Sequence, residues 1–221
     1  MSLHSITGQD FAINFIRAIY NNNKLPHTLL FYGPDGVGKR TAAIELAKLV
    51  NCLQPVRDGT GQVVDGCDTC VSCYKIRDNI HPDVRVYYPA GVETYKIEQF
   101  SIKSNDDKET VPLEAEVKYK PLEAKSKFYI LDQVERLNQE SANCILKILE
   151  EPPAHVVFVL LSRNKDVVIP TIRSRCQAVV FRPIAADIIQ SVLSSQWGTS
   201  PAIAQTIASL CTGSLGMAKG L

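Results

Sequence analysis

The chain has 221 residues, 45% of them hydrophobic, with 24 Lys and Arg against 23 Asp and Glu. That length suits one α/β domain with a small appendage. A formal charge of +1 supplies no basic field for an independent nucleic-acid binder, and the longest apolar run, Val156 to Leu161, is far short of a membrane span.

Thr7-Gly8-Gln9-Asp10 opens a helical pattern through Tyr20, and Asn21-Asn22-Asn23 stops it. After Leu25-Pro26-His27, the apolar run Thr28 to Tyr32 has strand length. Gly33-Pro34-Asp35-Gly36-Val37-Gly38-Lys39-Arg40-Thr41 comes next, followed by Ala43, Leu46, Ala47 and Val50 at helical spacing. A glycine-rich turn between a buried strand and a helix aims backbone N–H groups at an anion, and the helix dipole adds to them. Lys39 is placed to reach outer phosphates. The G-x-x-x-x-G-K-[ST] loop ends in a hydroxyl for magnesium. Here Arg40 stands in that place, and Thr41 comes one residue late, turned by about 100°. Gly33, Gly36, Gly38, Lys39, Thr41 and Asp132 are the candidate nucleotide ligands. Binding of ATP with magnesium stays open, and metal-dependent hydrolysis is not expected.

The chain has seven cysteines, at 52, 67, 70, 73, 144, 176 and 211. Cys67, Cys70 and Cys73 are spaced C-x2-C-x2-C, and Cys52 precedes them. Such turns place thiolates on one tetrahedral ion, so Cys52, Cys67, Cys70 and Cys73 predict a zinc knot spanning about 52–73. Four ligands leave no open position, which makes the metal structural. No signal peptide is visible, and an odd cysteine total argues against a disulfide framework. Cys144 and Cys211 read as small buried hydrophobes.

Val84 to Tyr88 is the next strand. Ile97 to Val117 is the least legible stretch, and Ser104 to Glu109 reads as a loop or poorly ordered insert. Lys118, Lys120, Lys125 and Lys127 read as a solvated charged face. Phe128 to Leu131 is a strand ending at Asp132, a residue able to hold magnesium through water. Gln133 follows, and an amide cannot accept a proton near neutral pH. Asn138 caps a helix running to Glu150, which Pro152-Pro153 stops. Strands at Val156–Leu161 and Ala178–Phe181 complete a set of five alternating with helices. The class is therefore α/β, a parallel five-stranded sheet with helices on both faces. Residues 1–183 form this domain. Residues 184–221 form a small helical lid, with helices at Ile184–Trp197, from Ser200-Pro201, and from Gly213-Ser-Leu-Gly216.

In order, Gly8-Gln9, Leu25-Pro26-His27, the phosphate loop, Cys52 with the cysteine triplet and His81-Pro82-Asp83 resemble the clamp loader family of bacterial DNA polymerase III, an AAA+ assembly. The match continues through Tyr119-Lys-Pro, Tyr129-Ile-Leu-Asp132, Ala142-Asn143 to Leu149-Glu-Glu-Pro-Pro153 and Ser174-Arg175-Cys176. The family's gamma/tau ATPase carries Lys-Thr in the loop and Asp-Glu in the second motif. Lys39-Arg40 and Asp132-Gln133 instead look like the delta-prime type. The Gly213-Ser-Leu-Gly-Met217 stretch also lacks the nucleotide-sensing Arg of the ATPases, while Ser162 or Asn164 could be the polar sensor after the preceding strand. The resemblance implies a cytoplasmic component of the polymerase III holoenzyme with no ATPase turnover of its own. It implies gamma/tau and delta subunits as partners, and the sliding clamp and primed DNA through the assembly, with no membrane. It makes Arg175 an arginine finger acting in trans on a neighbour's ATP, with Arg173 a possible helper. It implies a C-terminal collar domain as well, so the chain is expected to be a fragment covering core and lid. The competing readings are a gamma/tau-type ATPase and a zinc-knot interaction module unrelated to replication.

Overall fold

The computed structural model of the chain describes residues 2–89, 94–101 and 111–220. The insert expected at Ser104–Glu109 lies wholly outside these. Five strands, β1 (Thr28–Tyr32), β4 (Val84–Tyr87), β5 (Lys127–Leu131), β6 (Val156–Ser162) and β7 (Gln177–Val180), form one sheet in the order β4-β5-β6-β1-β7. All its pairings are parallel. The central strands are buried on both faces, as a helix-covered parallel sheet requires. Side chains alternate along them. Leu29, Phe31, Val157 and Val159 point into one core, shared with α1 (Asp10–Asn21) and α2 (Lys39–Asn51). Leu30, Tyr129, Phe158 and Leu160 point into the other, against α5 (Gln139–Glu150) and α6 (Pro170–Arg173). Asn138 caps α5 as expected, accepting from Ser141 N–H at 2.8 Å.

The excursion after α2 holds more structure than its turn residues suggest. It contains a small antiparallel hairpin of β2 (Val56–Arg57) and β3 (Val63–Asp65), followed by α3 (Val71–Arg77). A four-residue helix, α4 (Leu113–Glu116), lies in the stretch that sequence left illegible. Of the four lysines expected on a solvated face, Lys118, Lys120 and Lys125 are exposed. Lys127 is not. Its side chain is buried, and Nζ donates to the Glu116 carbonyl at 3.0 Å.

The lid comprises α7 (Ala186–Gln196), α8 (Pro201–Leu210) and α9 (Leu215–Ala218), joined by a cluster including Ile189, Leu193, Ala204 and Cys211. Its first helix starts two residues later than expected, since Ala185 is extended at the N-cap (ψ 143°) and Ile184 N–H donates to the Gly213 carbonyl at 2.9 Å. Ser200 takes the N-cap position before Pro201 without making a side-chain capping bond. Gln9 ties α1 to the hinge before the lid: its amide donates to Arg182 O at 2.7 Å and accepts from Arg182 N–H at 3.0 Å. No helix among the described residues is long and apolar enough to cross a membrane.

Candidate functional site

The phosphate loop joins β1 to α2 at the edge of a cavity of about 650 Å³. Gly36, Gly38, Lys39, Thr41, Asp132 and Gln133 line it, and the lid closes it with Trp197 and Leu215. Gly33 lies just behind the loop, where its carbonyl receives Lys39 Nζ at 2.6 Å. Lys39 also donates to the Pro34 carbonyl at 2.6 Å. Burial lowers the Lys39 pKa from its ordinary value, and Asp35 at 3.6 Å works against that. Asp35 also pairs with Arg163 at 2.6 Å. The lid rests on the loop itself. Gly216 N–H donates to Gly36 O at 2.9 Å, and a Cβ on Gly216 would come within 2.7 Å of Gly36 Cα. Only glycine permits that approach.

Arg40 is the most informative residue of the site. Its Nε donates to Asp132 Oδ2 at 3.0 Å, and Nη2 reaches the same oxygen. The guanidinium lies 4.9 Å from the Tyr88 ring centroid. The carboxylate that sequence reads as a magnesium holder is thus paired with an internal cation. That cation comes from the residue standing in the magnesium hydroxyl's place. Burial acts against the Arg40 charge, yet Asp132 raises its pKa above the ordinary value. Gln133 adopts a left-handed conformation (φ 56°), and its Oε1 is buried without a hydrogen-bond partner. Neither Ser162 nor Asn164 lines the cavity. Ser162 Oγ donates to Asn164 O at 2.9 Å, and Asn164 Oδ1 accepts from Asp166 N–H at 3.1 Å. Met217 is 55% exposed and also stays off the cavity wall.

The four cysteines of the predicted knot do come together. The sulfurs of Cys52, Cys67, Cys70 and Cys73 lie within 4.8 Å of one another, and all four are free thiols. Tetrahedral zinc with bonds near 2.3 Å needs sulfurs about 3.8 Å apart, and Cys52 and Cys70 are at 4.0 Å. Backbone amides already point at three of the sulfurs: Cys67 N–H to Cys52 at 3.3 Å, Cys70 N–H to Cys67 at 3.3 Å, and Cys73 N–H to Cys70 at 3.5 Å. Such donors stabilise thiolate charge, so the donor set fits a soft dication. Burial pushes the Cys73 thiol up. At Cys67 burial acts the same way, but hydrogen bonds from Thr69 and Cys70 prevail and bring it down to about 6.

A buried ion cluster braces the knot. Fully buried Lys48 on α2 donates to both Glu45 oxygens at 2.9 and 2.7 Å and pairs with Asp68, the residue after Cys67. Burial pushes the Glu45 carboxyl up to about 7. His81-Pro82-Asp83 has a structural role as well. Asp83 is 2% exposed and accepts from the Leu122, Glu123 and Ala124 amides at 2.9, 2.7 and 2.9 Å.

Arg175 does not line the chain's own cavity. It projects beyond α6, with Nη1 on Thr171 O and Nη2 on Glu150 Oε1, each at 2.8 Å. Arg173 pairs separately with Asp166 at 2.9 Å. Sequence reasoning missed the Arg40–Asp132 pair, although both residues had been singled out. An Arg opening the helix after β1 and an Asp closing β5, one strand removed from β1, were the available signal. Glu45 lies only three residues before Lys48 on α2, but Asp68 beside Lys48 and the amides on Asp83 offered no local signal, since those partners are set by tertiary contact.

Sheet order, glycine-rich loop and capping helices define an α/β domain with a parallel five-stranded sheet, the fold expected from the AAA+ resemblance. The profile of the family described as "DNA polymerase III, delta subunit" matches residues 8–185, and the chain belongs to that family. It is 30% identical to the DNA polymerase III subunit delta' of Bacillus subtilis (strain 168), over 88% of this chain and 54% of that protein. It is 28% identical to the gamma/tau subunit of Mycobacterium bovis, over 87% and 31%. A DNA polymerase III gamma subunit-related protein from Thermotoga maritima shares the fold, with TM-score 0.52 and 20% identity over 96% of this chain and 59% of that one. The chain thus spans about half the length of the first of these relatives and about a third of the second.

Proposed function

We propose that the chain is a delta-prime-type clamp-loader subunit, a stator without ATP turnover that lends Arg175 to the ATP site of a neighbouring subunit. The observation carrying this reading is the Arg40–Asp132 pair, a guanidinium on the carboxylate that magnesium would use. With Gln133 in place of a base, neither metal nor water activation has its residue. Arg175 is exposed and outside the chain's own cavity, as a group serving another subunit must be. An arginine supplied in trans neutralises charge on the transferred phosphoryl group and contributes on the order of 10³-fold or more to rate. The partners are the gamma/tau and delta subunits and, through the ring, the sliding clamp and primed DNA, in the cytoplasm. Zinc held by Cys52, Cys67, Cys70 and Cys73 keeps the excursion after α2 folded. Any nucleotide in the phosphate-loop cavity serves no turnover.

The test is ATP turnover of the chain alone and of a ring containing the full-length subunit. The chain alone should show none above background. Arg175→Ala should leave ring assembly intact and depress its DNA- and clamp-stimulated ATPase, with poor rescue by Arg175→Lys, whose point charge lacks the planar fork. Turnover by the isolated chain that Lys39→Ala abolishes would establish the gamma/tau-type reading instead.

A further inference from the structure

Arg175 follows the C-cap of α6, a four-residue helix, and so short a helix ends in carbonyls with no helical partner. Ser174 and Arg175 answer one of them, while Cys176 adds a second donor to Ile172 O, which already accepts from Arg175 N–H at 3.1 Å. Ser174 Oγ donates to Thr171 O at 3.0 Å, Arg175 Nη1 to the same oxygen at 2.8 Å, and Cys176 Sγ to Ile172 O at 3.1 Å. The Ser and Cys bonds stay within the turn. Arg175 alone reaches out of it, through Nη2 to Glu150 Oε1 at 2.8 Å. Glu150 is the last residue of α5, inside the Leu149-Glu-Glu-Pro-Pro153 stretch whose purpose sequence left open.

We propose that Glu150 is a positioning residue for Arg175: its carboxylate, with the Thr171 carbonyl, pre-orders the guanidinium for use on a neighbouring subunit's phosphate. This rests on the trans-finger reading above. The two anchors come from different elements, α5 and α6, so they fix the plane of the fork as well as its place. They use two of the five guanidinium N–H groups, and three remain for an incoming anion. Stability does not account for the pair. Its side chains are 34% and 54% exposed, and exposed ion pairs contribute little to folding. Orientation does account for it, because a flexible Arg must otherwise be ordered at the moment of reaction, and small misplacements lower rates steeply. Arg173 is paired with Asp166 and does not compete for Glu150.

The experiment places Glu150→Ala, Glu150→Gln and Arg175→Ala singly in the full-length subunit, with the Glu150→Ala/Arg175→Ala double variant. Stimulated ATPase of the reconstituted ring is then resolved into kcat and KM for ATP. Glu150→Ala should lower kcat about 5- to 30-fold with KM nearly unchanged. Glu150→Gln keeps an acceptor oxygen and should restore most of the rate. The double variant should be no worse than Arg175→Ala alone. On the chain by itself, Arg175 should react faster with phenylglyoxal in Glu150→Ala than in wild type or Glu150→Gln, read by mass spectrometry. If Arg175→Ala collapses the rate and Glu150→Ala leaves it unchanged, the positioning role is wrong and the finger stands. A higher kcat in Glu150→Ala also overturns the proposal, showing that the carboxylate competes with phosphate. A normal rate in Arg175→Ala removes the finger reading and this inference together. Should Glu150→Ala prevent assembly, unchanged phenylglyoxal reactivity overturns the proposal by itself.

Discussion

Removing either member of the Arg40–Asp132 pair tests whether a built-in cation has taken over the metal position. Two guanidinium nitrogens converge on one carboxylate oxygen, with side chains 49% and 11% exposed. Fully exposed pairs contribute about 0–1 kcal/mol, and breaking a fully buried one costs about 3–5 kcal/mol. Half the guanidinium is open to screening by solvent, so the coupling should sit near the lower range, about 1–1.5 kcal/mol. The Arg40 contact with Tyr88 adds about 0.5–1 kcal/mol that is independent of Asp132. Arg40→Ala should therefore cost about 2 kcal/mol, Asp132→Ala about 1–1.5 kcal/mol, and the double variant no more than Arg40→Ala by itself. Urea unfolding followed by far-ultraviolet circular dichroism measures all four corners of the cycle. Additivity within about 0.3 kcal/mol would mean the two residues do not sense each other. The account of Arg40 as a substitute for the metal would then fail.

Purified protein should hold close to one zinc per chain, with Cys52 resistant to alkylation. Chelation or Cys70→Ser should expose Cys52 and loosen residues 52–73, leaving the sheet's dichroism unchanged; a metal-free native chain contradicts this. Asp83→Asn should destabilise by about 3 kcal/mol at neutral pH, since three amides lose a charged acceptor. Burial acts to raise the Asp83 pKa, and those amides more than reverse it, so the folded value lies below the unfolded one. The stabilisation is therefore complete above the unfolded pKa of about 3.9 and is lost as pH falls through the folded value. The urea midpoints of wild type and Asp83→Asn should converge in acid, and a gap that persists at the lowest pH refutes the assignment.

The five strands of the main sheet, the loop between β1 and α2, the Asn138 cap and the clustering of four cysteines were legible in sequence because each is a local or periodic signal. A Thr28–Tyr32 run before glycines reads as a buried strand entering a tight turn. The four cysteines needed only two short turns and a return. The Gly8-Gln9, His81-Pro82-Asp83 and Ser174-Arg175-Cys176 stretches were legible as motifs, but their partners within the chain were not. Gln9 holds a backbone 173 residues away, Asp83 one about 40 residues away, and Arg175 a carboxylate 25 residues away. Lys127 shows the same limit from the other side. Its charge suggested solvent, yet the side chain is buried at the start of the strand, and the Glu116 carbonyl of α4 receives its ammonium. Composition also allowed an idle phosphate loop simply to lack its metal. Packing β5 beside β6 and β6 beside β1 brought Asp132 to the opening turn of α2, and there the long guanidinium of Arg40 meets it. Residue types and their periods set which elements form and which atoms are available. Which distant atoms pair was decided by tertiary structure, because a buried charge or amide must find its partner wherever the chain brings one.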